Sequence, residues 1–295
     1  MSAAGTAALA LPAGAGRGSG QQFARFVRRN PTMALGGLIL AVATTLALAA
    51  PLFAGDPLTM LPAQRLRPPG EANWLGTDHL GRDVFARTVF GARVSLFVGL
   101  SVAVASVGLG LLIGLMAGYF RRVDAVVMRL MDGLMAIPAI LLAIALVALT
   151  RASVLTVIIA ITIPEVPRVV RLVRAVVLSV REAPYVEAAI AGGTPTWKIL
   201  LRHILPNTVA PLIVQATYIW ASAILIEAAL SFLGAGTPPE VPTWGNMIAQ
   251  SRLFLSRAPW TIFAPGIALA LVVLAVNLLG DGLRDRLDPR LARRM

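Results

Sequence analysis

Five long stretches of this chain contain no Asp, Glu, Lys or Arg: residues 30–55, 94–120, 133–150, 208–226 and 258–280. Crossing about 30 Å of hydrocarbon at about 1.5 Å per residue takes about 20 mostly apolar residues. Each stretch is therefore read as a membrane-spanning helix. A sixth, weaker candidate begins near Ala152, is uncharged only to Pro164, and then meets Glu165, Arg168, Arg171 and Arg174. It reads as a helix whose second half leaves the membrane and continues into water. The expected fold class is an all-α integral membrane protein with about six transmembrane helices, and five as the fallback. Composition agrees. Of 295 residues, 57% are hydrophobic and 14% charged, against about 25% charged in an ordinary soluble domain. That excludes a disordered chain, a fibrous protein and most soluble enzymes.

The formal net charge is +12, which in a soluble protein would suggest nucleic acid. Here its arrangement gives another reading. Arg25, Arg28 and Arg29 precede the first span, and Arg121 and Arg122 follow the second. Arg168, Arg171, Arg174, Arg181, Lys198 and Arg202 follow the fourth, and Arg284, Arg286, Arg290, Arg293 and Arg294 follow the sixth. With six spans, all four groups lie on one side. By the positive-inside rule that side is the cytoplasm, with both termini on it. The charge is a topology signal, and nucleic acid is not the expected partner. The division that follows is a cytoplasmic tail over 1–30, a first helix over 31–55 and an external loop over 56–93. A core over 94–283 and a cytoplasmic tail over 284–295 complete it.

Cysteine is absent, so the chain has no disulfide, thiolate metal site or cysteine nucleophile. His79 and His203 lie far apart, and Asp78, His79 and Asp83 make a weak ligand set, so no metal is expected. The only lysine, Lys198, sits in no phosphate-loop pattern. No catalytic residue is expected. Ser106, Gly110, Gly114 and Gly118, four apart, line one face of the second span and invite close approach of another helix. Glu227 lies near membrane depth. It either pairs locally near the outer interface or lines the translocation path or its gate.

The segment 179–207 reads as two short helices with a hinge. Residues 185–191 favour a helix, and Gly192 and Gly193 stop it. Thr194 is the expected N-cap and Pro195 the first residue of a second helix running to about Ile204, with Pro206 before the next span. Ala188, Ala189, Trp197, Leu200 and Leu201 give this corner an apolar surface, suited to a groove on a partner or to the membrane surface. Upstream, residues 76–83 read as a tight Gly-flanked loop (Gly76, Thr77, Asp78, Gly81) in which Arg82 and Asp83 pair locally.

Glu187-Ala188-Ala189, Gly193 and Leu205-Pro206 resemble the EAA loop of permease subunits of bacterial ABC importers. His203 to Asn207 is similar to the version in the dipeptide and oligopeptide branch. Three further segments resemble the C-type permease of that branch: 75–84 with 91–96, 229–234 with Trp244-Gly245, and 277–290. The resemblance covers about residue 25 to the end. It implies the type I ABC importer permease fold, with Glu187, Ala188, Ala189, Gly193, Trp197, Leu205 and Pro206 docking on a cytoplasmic ATPase. It also implies a homologous second permease, two ABC ATPase subunits that bind ATP and Mg, and an external substrate-binding protein. The chain itself would hold no cofactor. Dipeptides and oligopeptides are the implied cargo, with nickel and glutathione as alternatives within the family. Two other classes compete: an ion-gradient-driven secondary transporter, which needs ionisable groups at mid-membrane, and an intramembrane enzyme.

Overall fold

The computed structural model describes Val27 and residues 30–287. The N-terminal tail with Arg25, Arg28 and Arg29, and the C-terminal Arg290, Arg293 and Arg294, lie outside the described residues. Nine helices make up the described chain: α1 (Pro31–Phe53), α2 (Val84–Tyr119), α3 (Arg121–Ala136), α4 (Ala139–Ala148), α5 (Val154–Arg181), α6 (Pro184–Ala191), α7 (Thr196–Phe232), α8 (Trp244–Ser251) and α9 (Trp260–Leu287). Side-chain caps set several starts. Asp83 accepts the Phe85 amide at α2, Ser153 that of Thr156 at α5, and Thr243 that of Asn246 at α8. Pro31 opens α1 at a position where its missing N–H costs nothing.

Among the described residues, four helices are long and apolar enough to cross a membrane: α1, α2, α7 and α9. The expected third span over 133–150 is not one rod. Pro138 drives Ile137 out of the helical region (φ −92°, ψ 129°), and α3 and α4 meet there at 87°. Counted as one broken span, the pair makes a fifth. The expected fourth span, α5, is long at 28 residues but charged over its second half, so it is not among the apolar four. The count by length and apolarity is thus four to five rather than six.

The most extensive helix contact joins α2 to α5. A Cβ on Gly114 would stand 2.7 Å from the Val173 Cβ, and one on Gly118 would stand 2.6 Å from the Val177 Cβ. One on Gly110 would collide with Val169. Both residue series climb by four together, so the helices run parallel with glycines of one under valines of the other. Ser106 continues the same face and is fully buried. The small-residue face therefore closes within the chain. On the far side α1 leans on α9, where Gly36 abuts the Ala275 carbonyl and Gly282 abuts Met33. Val98, Val157, Ile161, Ile219 and Leu230 fill the core between α2, α5 and α7.

Candidate functional site

The corner over 184–206 is built from the end of α5. Pro184 starts α6, and Gly193 ends it at φ +75°, a left-handed conformation that glycine adopts without a Cβ penalty. The Thr194 amide then donates to the Ala189 carbonyl and the Gly193 amide to that of Ile190, closing the helix end. The next helix begins one residue later than expected. Pro195 occupies the N-cap position in extended geometry (φ −65°, ψ 144°) and Thr196 is the first helical residue. Thr194 precedes a proline, which disfavours helical geometry there.

The second helix also does not end at Ile204. Residues Ile199–Ile204 form a π-turn in which the Leu205 amide donates to the Leu200 carbonyl, five residues back. This widened turn gives room for the Pro206 ring, which in a regular helix would clash with the carbonyl four residues before it. The corner therefore continues into the membrane helix without a break, and α7 runs from Thr196 to Phe232.

Val186, Ile199 and Ile204 are buried and tie the corner to the core through Val177. Outward, Tyr185, Ile190, Trp197 and Leu201 are 49%, 48%, 60% and 55% exposed. Glu187, Ala188, Gly193 and Pro206 are exposed with them, and Ala189 and Leu205 are half-buried. The Lys198 ammonium lies 5.4 Å from the Trp197 ring centre. Asn207 Nδ2 donates to the His203 carbonyl at 2.7 Å and to the Tyr185 hydroxyl at 3.3 Å, linking the two arms of the corner.

The opposite loop differs from expectation. Arg82 pairs with Asp78, not Asp83, and the pair is buried. Asp78 Oδ2 accepts from Arg82 Nε at 2.6 Å and Arg87 Nη1 at 3.4 Å, while Oδ1 accepts the amides of Leu80 and Arg82. Arg82 Nη2 donates to Gln250 Oε1 at 2.7 Å, which binds the loop to α8. Asp83 instead caps α2. Thr77 is fully buried. Its hydroxyl donates to the Gln64 carbonyl and accepts the Arg67 amide, and the Trp260 indole donates to its carbonyl. Gly76 (φ +71°) and Gly81 (φ +77°) make the turns, and a Cβ on Gly81 would collide with the Leu61 carbonyl. His79 stacks on Phe254 with ring centres 5.2 Å apart. Burial pushes its pKa below the ordinary histidine value. Asp78, His79 and Asp83 thus turn to three different partners and do not converge.

Glu227 is fully buried in α7. Its Oε1 accepts the hydroxyls of Ser231 and Thr243, each at 2.9 Å, while Oε2 has no hydrogen-bond partner. It anchors the segment leading into α8, next to the buried Trp244, whose indole donates to the Thr88 carbonyl. The arginines of α5 are also paired: Arg168 with Glu165 (3.0 Å), Arg171 with Asp132 (2.6 Å), and Arg174 with Asp124 through two bonds. The two α3 carboxylates, Arg87 and Gln250 were not legible as partners. They lie 9 to 168 residues from the groups they bind, and no local period marks them.

The corner thus carries exposed apolar side chains on a bundle of helices long and apolar enough to span a membrane. The family described as "Binding-protein-dependent transport system inner membrane component" matches residues 85–293. The chain belongs to this family. It is 59% identical over 92% of its length to the "Probable peptide ABC transporter permease protein y4tQ" of Sinorhizobium fredii, covering 93% of that protein. The "Dipeptide transport system permease protein DppC" of Alkalihalophilus pseudofirmus is 44% identical, over 90% of this chain and 88% of that one. The "Glutathione transport system permease protein GsiD" of Pectobacterium atrosepticum is 40% identical, over 90% and 89%. Among solved structures, an inward-facing form of the MetNI methionine ABC transporter superposes with a TM-score of 0.54 at 19% identity, covering 68% of this chain and 96% of that one. At that identity the likeness concerns the fold: the chain has the ABC importer permease architecture. It is a multi-pass membrane protein with a transport role, and family membership displaces the gradient-driven rival.

Proposed function

We propose that this chain is one of two permease subunits of an ATP-driven importer for short peptides. It works with a homologous second permease, two cytoplasmic ATPase subunits and an external binding protein. ATP and Mg are bound by the ATPase subunits, and this chain carries no cofactor. The corner at 184–206 and both termini face the cytoplasm, and the loop over 54–83 faces outside. One observation carries the reading. The exposed corner is rigidly continuous with α7 and anchored to α5, so a push on it reaches two helices of the bundle.

Docking on a partner would cover Tyr185, Ile190, Trp197 and Leu201, whose present exposure is unfavourable in water. Closure of the ATPase pair on ATP binding then favours one of two arrangements of the bundle, because the corner is held differently in each. The arrangement with the pathway open outward receives cargo from the binding protein, and release of the nucleotide restores the other. The greater likeness to a protein named for peptide transport than to the glutathione permease favours peptides as cargo.

The test is made on the complex in proteoliposomes. Gly193→Asp forces a side chain into left-handed geometry at the corner, and Glu187→Lys reverses an exposed charge there. Both should insert normally yet lose dipeptide uptake while ATP hydrolysis continues. Normal uptake by well-inserted Gly193→Asp would overturn the coupling role. Uptake of glutathione but of no dipeptide would overturn the cargo alone. Co-purification in mild detergent should recover a second permease and phosphate-loop ATPases, and recovery of a chain that transports alone would overturn the whole reading.

A further inference from the structure

A side groove of about 700 Å³ lies between α1, α2 and the start of α5, walled by Thr44, Leu48, Phe90, Phe97 and Val154 and lined also by Arg93. That volume is within the usual range for a small-molecule site, about 300–1,000 Å³. The groove opens sideways: Leu48 is 68% exposed and Phe97 60%. Both walls are membrane-crossing helices. The family match begins at residue 85, so α1 lies outside it, and the groove is the seam between that added helix and the family core.

Arg93 is the last charged residue before the uncharged run 94–120, which places its guanidinium at headgroup depth. It is exposed, and it has no ion pair or hydrogen bond among the described residues. Four arginines at helix contacts are paired: Arg87 with Asp78, and Arg168, Arg171 and Arg174 with the acids of α5 and α3. A guanidinium at the edge of hydrocarbon calls for an anion, and its planar fork matches a phosphate bidentately. An apolar trough below a lone guanidinium fits one class of molecule that supplies both halves.

We propose that this seam holds an anionic phospholipid, its phosphate on Arg93 and an acyl chain between α1 and α2. The lipid fills the gap on the α2 side of α1, which packs more extensively on α9 than on α2. The site depends on the chain being in a bilayer, not on the cargo or on the ATPase partners.

The test uses the full-length chain, purified with the subunits that accompany it, in nanodiscs containing a photoactivatable phosphatidylglycerol whose acyl chain carries the reactive group. Labelled peptides should come from the α1 and α2 walls, and Arg93→Gln should lower labelling about five-fold, the effect of one basic group near an anionic headgroup. Arg93→Lys should retain part of it. Leu48→Trp, which narrows the groove without touching the cation, should lower labelling by a similar factor and guards against misfolding of the arginine variant. A phosphatidylcholine probe should label weakly, and inorganic phosphate should not compete. Equal labelling of wild type and Arg93→Gln, equal labelling by phosphatidylcholine, or cross-links from Arg93 to a second protein subunit would each overturn the proposal.

Discussion

The two ends of this molecule treat their polar and apolar groups in opposite ways. At the outer end Asp78, Arg82, Arg87 and Thr77 are buried and bonded to one another or to neighbouring backbone. At the corner over 184–206 Trp197, Leu201, Ile190 and Tyr185 are exposed, held from behind by Val186, Ile199 and Ile204. One end pairs most of its buried polar groups within the chain, leaving Arg87 Nη2 and His79 Nδ1 without a hydrogen-bond partner. The other keeps apolar surface in reserve, which in a folded protein marks a place where something else binds. The difference predicts two consequences of mutation: loss of folding at the first and, on the proposed function, loss of coupling at the second.

The largest effect should come from Asp78→Ala. Removing the shared carboxylate leaves two buried guanidiniums without a counter-ion, a loss of about 3–5 kcal/mol for a broken buried pair. Recovery of folded protein after detergent extraction should fall sharply, and an unchanged thermal unfolding midpoint would break the comparison at its outer end. Gly114→Leu should come next. Its side chain meets Val173 in the α2–α5 ladder, and overpacking costs about 1–3 kcal/mol, read as a lower unfolding midpoint and poorer recovery of the intact complex. Trp197→Ala should change stability by no more than about 0.5 kcal/mol, as at other exposed sites, while transport coupled to ATP hydrolysis is lost. A stability loss as large as that of Gly114→Leu would show that the corner is structural after all.

The smallest effect concerns His79. Burial holds its pKa below the ordinary value, so the folded loop takes up the proton only at lower pH than the unfolded chain does. Stability is therefore full above about pH 6.5, the unfolded value, and declines as pH falls through it toward the folded pKa. His79→Phe keeps the stacking on Phe254 and should flatten that decline. An equal slope in wild type and variant would assign the acid sensitivity elsewhere.

Much of the corner was legible in sequence because its signals are local. Gly193 ending a helix and an apolar outer face each depend on residues within a turn or two. The extent of α7 was not, because Pro206 reads as a helix start until the π-turn at Ile199–Ile204 shows how the chain accommodates it. The outer loop was misread for a related reason. Arg82 and Asp83 are adjacent in sequence, but the turn at Gly81 sends Arg82 inward to Asp78 and leaves Asp83 to cap α2. The small-residue face of α2 was legible as an interface, and its partner was not, since nothing in residues 106–118 names Val169, Val173 and Val177.

The sequence by itself determined that this chain lives in a membrane, where its longest apolar helices run and where the corner after α5 bends. Transfer free energy sums along a run of residues, and turn chemistry acts over a few. Only the tertiary structure decided that Asp78 serves two arginines, that Asp124 and Asp132 hold α5 to α3, that Glu227 is buried, and that Arg93 stands alone above an open seam. Each of those facts depends on which residues distant in the chain arrive side by side, and that is a property of helix packing rather than of any segment.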